Sequence, residues 1–67
     1  MSDDNLRLMK LIEHWAEHND EHGTRFQEAA EEAAGKGLVS VAENLRAAAE
    51  KAEEVSRLLR KALEAFN

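Results

Sequence analysis

The sequence predicts an all-α fold, an antiparallel two-helix hairpin that dimerises into a four-helix bundle, and three observations predict it. Alanine, glutamate, leucine, lysine and arginine dominate the 67 residues, with no proline and three glycines. That is the composition of long helices, shared by natural and engineered helical proteins alike. Apolar residues recur at alternating spacings of four and three through both halves of the chain, as they do on a helix buried along one seam. Finally, a Gly35-Lys36-Gly37 segment interrupts that pattern near the middle.

The first helix is expected over residues 3–34. Ser2 stands where an N-cap belongs, and Asp3 and Asp4 put carboxylates in the first turn, where the helix dipole favours them. Leu8, Ile12, Trp15, Asn19, His22, Phe26, Ala29 and Ala33 fall on the stripe without a slip. Gly23-Thr24 followed by Gln27 has the spacing of a helix stop and a new cap, which would divide the chain into three helices. The unbroken phase from His22 to Phe26 favours one continuous helix instead, with a glycine that costs about 1 kcal/mol or bends it slightly.

Residues 35–40 are expected to form the turn, because glycine readily takes the left-handed conformation that ends a helix, and Ser40 and Glu43 stand at capping-box spacing. The second helix follows over 41–66, its stripe running through Leu38, Val41, Leu45, Ala48, Ala52, Val55, Leu59, Ala62 and Phe66. Residues 1–67 thus make one domain. With the turn centred near Lys36, residues whose numbers sum to about 73 lie opposite each other in an antiparallel hairpin. Trp15 then meets Leu58 and Leu59, and Phe26 meets Ala47 and Ala48.

A chain this short has a thin stability margin as a lone monomer. It has no cysteine, so disulfides, thiolate metal sites and cysteine nucleophiles are excluded, and a reducing cytoplasm is the expected location. Oligomerisation or a bound ion remains as the source of extra stability. At the open end Leu6, Leu8, Met9, Leu11 and Ile12 stand with Leu58, Leu59, Leu63 and Phe66, more apolar surface than one seam covers. The expected interface residues are Ile12, Trp15, Asn19, Phe26, Leu58, Leu59, Leu63 and Phe66, and the expected partner is a second copy. Trp15 is expected in the core, with its indole N–H bonded to an acceptor.

Fourteen acidic residues against nine basic ones, a formal net charge of -5, leave no basic run to follow a phosphate backbone, so nucleic acid is not an expected partner. No apolar stretch approaches the roughly 20 residues that span a bilayer, and MSDDN is acidic where a signal peptide is basic. Membrane insertion and export are not expected either.

The segment with chemical potential is EHWAEHNDEH, residues 13–22, where a Glu-His pair recurs three times at four-residue spacing. His14, His18 and His22 therefore make one ridge, and imidazoles four apart on a helix can share a transition-metal ion. Glu21, like Glu17, lies within reach as a further ligand or as an acceptor for a ring N–H. The competing reading treats these side chains as the packed or solvated surface of the helix. Asn19, on the seam itself, needs a hydrogen-bond partner: it either fixes register across the interface or orients a neighbouring histidine.

No catalytic constellation stands out. The carboxylates are scattered, no serine has a base at motif spacing, and the Glu-x-x-His pattern of di-iron bundles is missing. The chain is not expected to be an enzyme.

The run LIEHWAEHNDEH, with Phe26 after it and GLVSVAENL beyond the turn, resembles a small uncharacterised helical-hairpin domain of archaea and anaerobic bacteria. Its pattern is an H-W-x-x-H-N-x-x-H run, a glycine turn and a second amphipathic helix. The resemblance rests on His14, Trp15, His18, Asn19, His22 and Phe26 and covers most of the chain; Gly23-Thr24 departs from the ordinary helix formers expected there. That domain is sometimes joined to a CooT-like nickel-binding module, so the resemblance implies nickel by association and implies no activity. The expected function is a non-enzymatic self-association module, the alternative being a nickel- or zinc-binding module built on the histidine ridge.

Overall fold

Ser2 opens the first helix as the sequence predicts, its hydroxyl oxygen accepting from the Asn5 backbone N–H at 3.1 Å. The computed structural model describes residues 2–66. They form α1, Asp3–Gly35, and α2, Val39–Glu64, packed against each other as an antiparallel hairpin. α1 passes through Gly23 and Thr24 without a break. The Thr24 hydroxyl, rather than capping a new helix, donates back to the Asp20 carbonyl at 3.2 Å.

α1 ends in a Schellman turn. The Leu38 N–H donates to Ala33 O at 2.9 Å and the Gly37 N–H to Ala34 O at 3.1 Å, with Gly37 at φ 78°. α2 begins at Val39, two residues before the expected start, so Ser40 lies inside the first turn and caps nothing. Its carbonyl accepts from the Asn44 side chain at 2.8 Å, while Leu38, without a capping side chain, supplies the carbonyl that receives the Ala42 N–H. The Ser40–Glu43 capping box is therefore not formed. The tight turn brings Val39 directly onto the helix, leaving no room for a separate cap.

The register follows the expected one closely. Asn19 meets Ala52 and Ser56, Ala16 meets Ser56, and Gly23 meets Ala52. The seam itself is displaced. It runs through Ile12, Ala16, Asn19, Gly23, Phe26, Ala30 and Ala33 on α1, and through Ala42, Leu45, Ala49, Ala52, Ser56, Leu59 and Leu63 on α2 to Phe66 just beyond its end, all buried or half-buried. Half of each expected stripe is right. The other half lies one residue away: Ala16, Gly23 and Ala30 face α2 where Trp15, His22 and Ala29 were expected. Trp15 is not core at all, being 49% exposed.

Size is the physical reason. Ala16, Ala30 and Ala42 are at most 1% exposed, and among the described residues no large side chain is fully buried. At Gly23 a Cβ would stand 3.3 Å from the Ala52 Cβ. Backbones this close admit hydrogen or methyl groups and reject an indole.

Candidate functional site

The displaced seam creates a second apolar surface. Moving three residues along a helix turns about 60° to one side and moving four turns about 40° to the other. Leu8, Trp15 and His22 therefore emerge on one flank of the seam, whereas Ala16 and Gly23 close it. α2 carries the same offset, with Val41, Ala48, Val55 and Ala62 on its outer row. Seen end-on, two antiparallel right-handed helices mirror each other across the plane between them, so the two outer rows emerge on the same side. Among the described residues, Leu8, Leu11, Trp15, Val41, Val55 and Leu58 are all exposed.

The opposite flank is polar. Arg60 reaches across to Asp20 with both guanidinium nitrogens, at 2.5 and 3.2 Å. These hydrogen bonds, with a smaller contribution from the Ser56 hydroxyl, hold the Asp20 carboxyl below its usual range. A cleft on this side is lined by Asn19, Asp20, Gly23, Thr24, Gln27 and four residues of α2. Asp20, Glu50 and Glu53 set carboxylates around its rim, beside the small seam residues Gly23 and Ala52.

Between the flanks Asn19 is fully engaged as a donor, giving Nδ2–H bonds to Ala52 O at 2.5 Å and Ser56 Oγ at 2.9 Å. The Ser56 hydroxyl donates in turn to Ala16 O at 3.4 Å. Asn19 thus ties α1 to α2 within the chain and does not orient a histidine. Among the expected interface residues, Ile12 is buried in the same intrachain seam. Phe26, Leu59, Leu63 and Phe66 are half-buried beside it, and only Trp15 and Leu58 lie fully on the outer surface.

The histidine ridge is formed but not evenly. His18 and His22 converge, their Nε2 atoms 3.1 Å apart and their ring planes at 81°. His14 instead stacks nearly parallel to His18, with centroids 6.0 Å apart. Glu21 sits behind the pair, Oε2 3.8 Å from His18 Nδ1. Among the described residues no three of His, Asp and Glu come together closely enough to hold a metal ion. One chain therefore presents two convergent imidazoles and an acceptor behind one of them.

Sequence reasoning missed Ser56, Gly23 and the Asp20–Arg60 pair. The signal was there in the seven-residue recurrence of small residues, Ala16-Gly23-Ala30 and Ala42-Ala49-Ser56. Among the described residues no helix is long and apolar enough to cross a membrane.

An uncharacterised protein of the archaeon Archaeoglobus fulgidus is 40% identical over 58 residues, covering 87% of this chain and 92% of its own length. No solved structure matches the chain. A family model described as a domain of unknown function (DUF8180) matches residues 8–66, which take in nearly all of both helices and the turn. The chain belongs to that family.

Proposed function

We propose that this chain is a non-enzymatic self-association module whose outer apolar face docks on the same face of a second copy, giving an antiparallel four-helix bundle. The observation that carries the reading is the inversion of size: small residues fill the hairpin seam while Trp15, Leu8, Leu11, Val41, Val55 and Leu58 stand outside on one side. A second layer of helices buries such a face without disturbing the seam.

Two magnitudes support a second copy as the occupant. The chain exposes 5116 Å², against about 4,250 Å² for a compact monomer of its 7.5 kDa mass. The hairpin is 53 Å long and 14 Å wide, a face of about 740 Å², close to the roughly 800 Å² each partner buries in a stable interface. The acidic net charge gives a polyanion no basic surface to follow.

Sedimentation of the full chain in the presence of a chelator, from low to high micromolar concentration, tests this. A dimer is expected for the parent and a monomer of unchanged helical content for Leu58→Glu. A parent that stays monomeric throughout overturns the reading.

A further inference from the structure

We propose that His18 and His22 are half of a divalent transition-metal site, the other half being the same pair on the second copy, so that four imidazoles hold one ion on the two-fold axis. The inference rests on the self-association reading and deepens it.

The first support is local geometry. Two nitrogens 3.1 Å apart, each about 2.05 Å from a common ion, subtend roughly 98° at that ion. That angle suits adjacent ligands in four- or six-coordinate geometry. In the metal-free chain one ring donates its N–H to the lone pair of the other. An ion in place of that proton would receive both lone pairs. Behind His18, Glu21 Oε2 lies 3.8 Å from Nδ1, where ligating histidines carry the carboxylate that orients the ring.

The second support is position. Two protein ligands leave a transition ion incompletely held, and among the described residues no third joins them. α1 spans Asp3–Gly35, so its midpoint is Asn19, and Asn19 faces Ala52 near the middle of α2. A two-fold pairing that sets α1 antiparallel on its own copy and covers the whole apolar face places its axis across this midpoint, because an off-centre axis leaves one end of each hairpin bare. His18 and His22 straddle residue 20. An antiparallel α1 pair centred there sets His18 of one copy opposite His22 of the other. His22 lies on the outer row that the second copy covers, between Trp15 and Ala29, and Ala29 with Ala48 of the α2 outer row leaves room for the second pair of rings. Neutral imidazole is a ligand for zinc, nickel and copper alike.

The test is a titration of the metal-stripped full chain with zinc alone and nickel alone, read by calorimetry for stoichiometry and by sedimentation for assembly. One ion per two chains is expected, together with a tighter dimer. His18→Ala and His22→Ala should each weaken binding at least about 100-fold, since loss of an outer-shell partner alone costs 10–100-fold. His14→Ala should bind like the parent. Both variants lie on the exposed surface, and circular dichroism checks that their helices are intact. A stoichiometry of one ion per chain, or equal binding by His18→Ala, overturns the proposal. If the chelated protein dimerises and zinc does not bind, this inference fails and the assembly reading stands. If the chelated protein is monomeric and zinc produces a dimer of one ion per two chains, the shared site stands and the assembly reading as stated fails.

Discussion

The two sides of the α1 stripe are both apolar and both repeat every seven residues, yet one is buried within the chain and the other is not. Ala16, Gly23 and Ala30 face α2; Trp15, His22 and Ala29, one position earlier in each case, face away. Side-chain size favours the second set as core, since an indole or an imidazole buries more area than a methyl group or a hydrogen. The difference teaches that room, not hydrophobicity, decides which flank of a stripe closes a tight hairpin. A close-approach seam gives up apolar area per residue in exchange for backbone proximity, and the displaced large side chains become available for a second interface.

Ile12 is where the comparison breaks most strongly, as the one large aliphatic side chain among the described residues that is buried in the seam. Ile12→Ala should destabilise by about 2–5 kcal/mol, near the lower end because the small seam can collapse around it. Equilibrium denaturation in urea measures this. Next in size is the reverse change. Ala30→Leu places an isobutyl group where nothing is exposed and should cost about 1–3 kcal/mol by forcing the helices apart. If it stabilises instead, the seam is not size-limited.

Asn19→Ala removes two hydrogen bonds across the seam and should cost about 1–2 kcal/mol, or roughly 4–8 °C of melting temperature per kcal/mol. On the other flank Trp15→Ala should change the stability of the isolated hairpin by no more than about 0.5 kcal/mol, the usual range for surface positions. Under dimerising conditions it should weaken association. That split between monomer stability and assembly sharpens the contrast, and equal losses in both would erase it.

The smallest expected effect belongs to the polar flank. Hydrogen bonds from Arg60 hold the folded-state pKa of Asp20 below the ordinary aspartate value. The stabilisation is therefore fully present above that unfolded value and is lost as the pH falls through the lowered folded one. Because the pair is solvent-exposed, the acid limb of a pH-stability curve should differ only slightly between the parent and Asp20→Asn. The two curves should converge at the acid end.

Much of the fold was legible in the sequence. Ser2 and the Gly35-Lys36-Gly37 segment marked the helix ends, the unbroken phase through Gly23 gave a continuous α1, and the turn position gave a register within a few residues of the observed one. The choice between two interleaved seams was not legible from hydrophobicity, since Ile12, Asn19, Phe26 and Ala33 belong to both. Gly23 looked like a defect, and its value appears only when the Ala52 Cβ is 3.3 Å from where a methyl would stand. For the histidines, four-residue spacing correctly put three rings on a ridge. It could not say that His18 turns toward His22 and lies parallel to His14, because rotamer choice is invisible to spacing.

The turn also governs topology. The reversal depends on Gly37 at φ 78°, a conformation that disfavours side chains with a Cβ. Gly37→Val would penalise the sharp reversal without touching a seam residue, and the least strained alternative runs α1 straight on into α2 as one long rod. The same small residues could then close between two chains rather than within one, each contributing its second helix to the other by domain exchange. A single glycine thus selects between a module that folds first and assembles afterwards and one in which folding and assembly are the same event.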